Sequence, residues 1–457
     1  MLLERPKFIL RSEDLPYILI LFLCLLSRLL SSISFYEDPE AMKFSLIALE
    51  SNFNVLQSSA PVVCFAVKML DLVLNNIGLN FSLLGGFSTG IVIIYSLKLL
   101  RVPLFSLEGG LAAFMIFFNP LLWIMGNSYA PYIAGAALTI AALFYTIEDY
   151  YNRGSLNKGF FLIGLLAGTV LQYTLLPLVP GIYYVVKRKQ WAPLAYLALG
   201  LALWLIPSLI ADANSFPNFI QSQLRFFNSG HNFSFLTAIR ALWADGMGGY
   251  WLGREYFLVL NMLPLLSFLF FGLLVIMGFG EEQRKTYLYG AALLLYLALS
   301  LMQSAQYYSA LLLPLIPLLT FTAAYGIIYF LINFNLLQVK LIIFIYAVIT
   351  LYFVVGTALE HSQPTAIAQL QEYLVNKENN AKGLTVLCPD KTMCNYLKKE
   401  VKAEFYSPAD YKNQKNGASG TLLSIGDSLE RKYVNSITFT HNPFINHYSP
   451  QITVYEY

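Results

Sequence analysis

The chain has 457 residues, of which 57% are hydrophobic and only 12% charged, with a net charge of +3 and a mean hydropathy of +0.59. So small a charge argues against a nucleic-acid partner, and so apolar a sequence excludes a water-soluble globule. Apolar runs of about 20 residues recur, and only helices satisfy their backbone groups within such runs, so the fold class is an α-helical polytopic membrane protein.

The apolar pattern predicts about 11 spans. They fall at 15–34, 82–99, 106–123, 130–147, 160–175, 176–186, 191–210, 256–278, 286–302, 310–332 and 340–358. The sixth is short, so 160–186 also reads as one long or broken helix. The first run lacks a small-residue cleavage pattern and contains Arg28, which makes it a retained anchor and not a signal peptide. Arg5, Lys7 and Arg11 place the N-terminus in the cytoplasm. Lys98 with Arg101, Arg153 with Lys158, Lys187-Arg188-Lys189, Arg284 with Lys285, and Lys340 mark alternate short loops.

Residues 60–77 are apolar enough to span but hold Lys68 and Asp71. Counting them as a span would invert every later basic loop, so they read as a helix in the outer interface. Loops 35–81 and 211–255 then face outward from a transmembrane domain of residues 1–358. The tail, 359–457, is polar, with strand-like pieces at Leu384–Leu387, Thr421–Ile425 and 451–455 and a helical stretch near 393–400. It reads as a small extracytoplasmic α/β domain on the outer side of an inner (cytoplasmic) membrane. Cys24 and Cys64 lie in or beside apolar segments and form no metal pattern. Cys388 and Cys394 share the tail, where an oxidising compartment would let them pair; otherwise they are two unrelated thiols.

Four residues carry most of the functional signal: Glu37-Asp38-Pro39-Glu40, just beyond the first span. Asp38-Pro39-Glu40 is a good helix start, with a capping acid, a proline at the first position and a second acid at the positive end of the dipole. Phe44, Ile47 and Ala48 then share one face of a short amphipathic helix lying on the membrane. That explains Asp38 without any chemistry, but three acids in four residues at a membrane edge are costly. The functional reading is a general base, Asp38 or Glu40, whose pKa is raised by partial shielding. A leaving lipid phosphate would need cations, and Arg225, His231, Arg240 and Arg254 lie in the outward loop 211–255. Trp243, Tyr250 and Trp251 there could stack on sugar rings, and Asp245-Gly246-Met247-Gly248-Gly249 is a glycine-rich turn. No Walker sequence, metalloprotease helix or serine elbow is present, so the energy for a reaction must arrive with the substrate.

The order of these features resembles the GT-C superfamily of polytopic glycosyltransferases, and more closely its branch related to protein O-mannosyltransferases and the aminoarabinose transferase. The resemblance rests on the acidic start of 37–46, on Asn119-Pro120-Leu121-Leu122-Trp123 through Gly126-Asn127-Ser128-Tyr129, and on Pro314 and Pro317 after Gln306-Tyr307-Tyr308. It covers roughly residues 10–330. It implies a GT-C-like bundle with outer interfacial helices, an inverting transfer from a polyprenyl-phosphate-linked sugar donor, and a lipid, glycan or protein acceptor in a setting of membrane lipids. Asp38 and Glu40 would be catalytic, and Glu37, Arg225, His231, Arg254, Gln306 and Tyr307 would bind substrate. Metal dependence stays open, with a divalent metal allowed. The chain departs from the pattern at Gln57-Ser58-Ser59-Ala60-Pro61, where relatives often carry His-Pro-Pro. It has no acid in 126–133, and Gln306 stands where an arginine is common. Two other readings stand beside this one. A lipid-glycan transporter or flippase would put acids and bases in the middle of spans, which hold almost none beyond Arg28. A catalytically inactive scaffold would fit the departures.

Overall fold

The computed structural model describes residues 15–29, 39–49, 55–58, 60–99, 102–119, 131–148, 155–228, 363–380, 383–389, 391–399, 401–412, 421–426, 432–441 and 451–457, with single positions elsewhere. Among the described residues of its first half run the helices α1 (Leu15–Leu29), α2 (Pro39–Leu49), α3 (Pro61–Leu74), α4 (Ile77–Leu99), α5 (Leu107–Phe117), α6 (Pro131–Glu148), α7 (Ser155–Ala167), α8 (Leu175–Arg188), α9 (Ala192–Asp212) and α10 (Phe216–Asn228). Every described position from 317 to 355 is helical. The spans expected at 256–278 and 286–302 lie outside the described residues.

The surface of this bundle is that of a protein in lipid. Leu15, Leu19, Phe22, Leu23 and Leu26 stand exposed along α1, as do Leu199, Leu203, Ile206 and Ile210 along α9. In water each would forfeit roughly 1.5–3 kcal/mol of burial, whereas acyl chains solvate them at no such cost. Among the described residues two helical runs, Ile77–Leu99 and Ala192–Gln221, are long and apolar enough to cross a bilayer. Their apolar windows are 67% and 17% buried, which puts α4 in the centre of the bundle and α9 on its lipid face.

Small residues set the two closest helix crossings. Gly86 and Gly90, one turn apart on α4, lie against Cys24, Leu25 and Leu21 of α1; a Cβ on Gly86 would fall 2.9 Å from the Cys24 carbonyl oxygen. Gly164 of α7 and Gly200 of α9 face each other, and a Cβ on Gly164 would come 2.6 Å from the Leu197 carbonyl oxygen. The Trp204 indole then donates to the Gly164 carbonyl at 3.0 Å. These are the small-residue contacts that let helices approach without a hydrophobic drive. Gly164→Val is expected to lower the melting temperature of the detergent-purified protein, at an overpacking cost of about 1–3 kcal/mol. Gly110→Ala, whose Cβ would make only an ordinary van der Waals contact with the Leu104 carbonyl oxygen at 3.8 Å, should hold or raise it, because alanine is the better helix former.

Several helix ends differ from the sequence expectation, for local reasons. Helix α4 starts at Ile77 instead of 82, because Asn75 adopts a left-handed conformation (φ 46°) and the Asn76 side chain accepts the Leu79 N–H at 2.9 Å. The expected span 106–123 is interrupted after Phe117: the Asn119 side chain accepts the Leu122 N–H at 3.2 Å and restarts the chain as a helix at Leu122. The stretch 160–186 is a broken helix, with α7 and α8 separated by a 3-10 turn at Leu171–Thr174. The first part of the loop 211–255 is itself helical, as α10.

The C-terminal region forms a five-stranded sheet with three helices: α11 (Ala366–Asn380), β1 (Leu384–Leu387), α12 (Lys391–Leu397), β2 (Glu404–Tyr406), α13 (Pro408–Lys412), β3 (Thr421–Ile425), β4 (Asn435–Thr440) and β5 (Gln451–Glu456). Strand order is β2-β1-β3-β5-β4, with β1 parallel to both β2 and β3, and β5 antiparallel to β3 and β4. All four residues of β1 are buried, as expected of a parallel strand covered on both faces. Ile367, Leu370 and Leu374 of α11 pack on this core, and the Thr365 hydroxyl caps α11 by accepting the Ala368 N–H at 3.2 Å. Cys388 and Cys394 are buried thiols of the same core and form no disulfide. The pairing allowed by the sequence is therefore not present: the core shields both sulfurs.

Candidate functional site

Helix α2, which begins at Pro39-Glu40, is held on two opposite sides. Phe44, Ile47 and Ala48 pack with Val63, Cys64 and Val67 of α3, Phe81 of α4 and Ala134 of α6. The face expected to rest on the membrane is thus covered by protein, because α3 folds back beneath it. Met42, roughly half a turn around the helix from that face, is fully buried in the core of the C-terminal unit, beside Ile367, Met393 and Val454. Helix α12 packs on α2, and the Lys399 ammonium donates to the Leu46 carbonyl at 3.2 Å. That carbonyl belongs to the last turn of α2, where a cation satisfies both an orphan acceptor and the negative end of the dipole. The acidic helix start is therefore fixed between bundle and C-terminal unit.

Met42→Asp is expected to undock the C-terminal unit, since a buried methionine contributes about 2–5 kcal/mol relative to its truncation and a carboxylate there would be unpaired. Hydrogen exchange along α2 and α12 should rise together. Met42→Leu, which conserves volume, should leave it unchanged.

Two cations gather where α2 meets α3. Lys68 is buried on α3 (8% exposed), and Lys43 stands exposed on α2. Both charges act on Cys64 between them. Burial pushes that thiol up to about 12, opposed by a Ser58 hydrogen bond and then by the Lys68 and Lys43 charges. At 14 residues, about 21 Å, α3 is too short for a ~30 Å hydrocarbon core. Its Met69, Leu72 and Val73 are exposed, the pattern of a helix lying in the interface. Asp71 of α3 accepts from the Asn80 amide at 2.7 Å and pins α3 to α4. The Val62 N–H donates to the Gly168 carbonyl at 2.9 Å and pins it to the turn after α7.

A third cation sits at the end of α1. Arg28, in the last turn of α1, is fully buried, its guanidinium 3.9 Å from the Trp123 ring centroid. A desolvated stack of this kind is worth about 2 kcal/mol or more, which offsets part of the cost of a charge at this depth. Trp123 also lies parallel to Phe118 at 6.5 Å. Gly126 closes the cluster: a Cβ there would come 3.0 Å from the Arg28 Nε and 2.9 Å from the Thr89 hydroxyl, while Gly85 leaves no room for one against the Gly126 carbonyl. Trp123 and Gly126 thus meet the end of α1 from which the chain runs on to the acidic residues.

The positions expected from the sequence divide as follows. Glu40 lies in the first turn of α2, and Arg225 lies on α10. Phe219 of α10 packs with Trp204 and Leu56, which brings this helix to the α2 end of the bundle. Glu37, Asp38, His231, Arg240, Arg254, Gln306 and Tyr307 lie outside the described residues. Among the described residues no group of three or more His, Cys, Asp or Glu comes together. Lys68 and Arg28 were legible only as odd charges in apolar segments; what the sequence does not reveal is that one flanks α2 and the other stacks on Trp123.

ArnT from Cupriavidus metallidurans, in a crystal structure bound to undecaprenyl phosphate, is similar over 96% of this chain and 97% of its own, with a TM-score of 0.53 at 13% identity. The chain has a GT-C-type fold. The apo form of the same ArnT matches at a TM-score of 0.45 and 11% identity, covering 97% of this chain and 98% of its own. An Archaeoglobus fulgidus oligosaccharyltransferase in complex with Zn and sulfate matches at 0.46 and 12%, covering 89% and 67%. Neither a protein-family model nor a curated protein matches the sequence. The GT-C likeness reaches into the C-terminal unit, beyond the residues that carried the resemblance in the sequence.

Proposed function

We propose that this protein is a membrane glycosyltransferase that moves a sugar from a polyprenyl-phosphate donor to a lipid, glycan or protein acceptor on the outer face of an inner membrane. The observation that carries this reading is the junction at α2. An acidic helix start is gripped between a GT-C-type bundle and a C-terminal unit, and Lys43 and Lys68 stand on α2 and α3, the helices that meet there around Cys64. The similar ArnT was solved with undecaprenyl phosphate, a carrier lipid of the donor class proposed here.

In this reading the acceptor hydroxyl attacks the anomeric carbon while a carboxylate, Asp38 or Glu40, takes its proton. The bond from that carbon to the phosphate oxygen breaks with inversion, and the electron pair leaves on the polyprenyl phosphate. The leaving group thereby gains a second negative charge, which Lys68 and Lys43 are positioned to meet at the α2–α3 junction. Glu37, Arg225, His231, Arg254, Gln306 and Tyr307 remain the candidates for holding the rest of the substrate. The first test is binding. Purified protein in detergent should take up one undecaprenyl phosphate by native mass spectrometry, with undecaprenol bound at least about tenfold more weakly because two cations face the phosphate. Equal uptake of both lipids would remove the basis for a phosphate-linked donor.

A further inference from the structure

A cavity of about 700 Å³ opens between α3, α4, α6, α7 and α9, starting at Val63 and Ala134, which also pack under α2, and running away from α2 to Tyr95 and Tyr145. Its wall is almost wholly apolar, and the room comes from Ala134, Ala137 and Ala141 of α6, where larger side chains would fill it. Phe87 and Leu199 stand about half exposed where it meets the lipid face. Along α4 it runs from Leu84 to Tyr95, about 16 Å, or half of a ~30 Å hydrocarbon core. The groove therefore has the length of one leaflet.

The far end is polar in a specific way. The Tyr95 and Tyr145 hydroxyls meet at 2.9 Å. Lys158 lies 5.7 Å from the Tyr145 ring centroid, and Lys98 lies 5.5 Å from that of Tyr95 and 4.9 Å from that of Tyr17. Both lysines are exposed, and among the described residues neither has a carboxylate partner. Two ammoniums and two phenols at the mouth of an apolar groove complement one anionic headgroup with its chain. A groove of this size left empty would deprive its walls of contacts on one side.

We infer that this groove binds an anionic phospholipid, one acyl chain lying along α4 and α6 and the phosphate held by Lys98 and Lys158, in the leaflet opposite the C-terminal unit. The lipid site does not rest on the transferase reading: its headgroup end, at Tyr95, Tyr145 and Lys158, is at the far end of the groove from Val63 and Ala134, where the groove touches the residues beneath α2. The test uses the full chain purified in mild detergent, titrated with phosphatidylglycerol or phosphatidylcholine and read by native mass spectrometry and melting temperature. The wild type should retain one phosphatidylglycerol about tenfold more tightly than phosphatidylcholine, and melt higher with it. Lys98→Gln with Lys158→Gln, both surface changes, should erase the preference. Ala141→Phe should lose retention of both lipids. Equal retention of the two lipids by the wild type, or an unchanged preference in the double variant, overturns the proposal. So does displacement by soluble glycerol phosphate, which would mean an anion site without a chain. Displacement one-for-one by undecaprenyl phosphate would make the groove a carrier-lipid site instead, and would also overturn it.

Discussion

Asp38→Asn combined with Glu40→Gln is expected to abolish sugar transfer while the protein still inserts, folds and takes up undecaprenyl phosphate. A positioned general base contributes on the order of 10²–10⁴ in rate, and an amide of the same shape cannot accept the acceptor's proton. Separating the two single variants identifies the base. Glu40 sits within the first turn of α2, whose placement is fixed from both sides by Phe44, Ile47 and Met42. Asp38 is the residue that the sequence reads as the cap of that helix. If Asp38 only caps, Asp38→Asn should cost little activity and little stability, because asparagine caps as well as aspartate. If it is the base, the same change should eliminate transfer without moving the melting temperature. The readout is formation of free polyprenyl phosphate in membranes, with the melting temperature of each variant measured alongside.

Lys68→Met lowers transfer by on the order of 10²–10³, the loss seen when one preorganised stabiliser of developing charge is removed. The effect should fall mainly on turnover, since the leaving phosphate carries more charge in the transition state than in the donor. At a matched melting temperature Lys68→Arg, which keeps the charge, should retain far more transfer than Lys68→Met. That split separates a role in the reaction from a role in folding, where activity and melting temperature would fall together. Lys43, exposed on α2, should contribute less, and Lys43→Met is expected to weaken donor binding about tenfold at most. The loss should shrink at high salt, since an exposed charge is screened.

How far the fold could be read from the sequence depended on the range of the interactions that decide each part. The start of α2 was legible because Asp38-Pro39-Glu40 is a local signal. So were β1 and β3, short runs of mainly Leu, Val, Ile and Thr that each follow a glycine, and both match the structure end to end. Strand β4, NSITFT, was missed because its side chains alternate between partial and full exposure, leaving no apolar run. Helix α11 was missed because its apolar face rests on a strand sheet that follows it in the chain, so its mean character is polar. The early start of α4 depended on two asparagines that read equally well as loop.

The site divides in the same manner. The acids and the basic loops can be read from types and spacing. That α2 would be clasped between bundle and C-terminal unit cannot, since Met42 looks like any helix methionine until the distant core closes on it. Arg28 is the sharpest case. In the sequence it marks only a retained anchor; in the fold, the residues that wrap it, Gly85, Trp123 and Gly126, come from two later segments. Long-range packing turns an isolated charge into a built element of the site.

The most direct test of the transferase reading is the polyprenyl lipid pool of cells expressing the wild-type chain or the Asp38→Asn, Glu40→Gln double variant, followed by mass spectrometry. The expected result is that the wild type consumes one sugar-linked polyprenyl phosphate and releases polyprenyl phosphate, while the double variant, equally abundant in the membrane, leaves that donor to accumulate. A double variant that consumes the donor as fast as the wild type would contradict a carboxylate-driven transfer at the α2 junction.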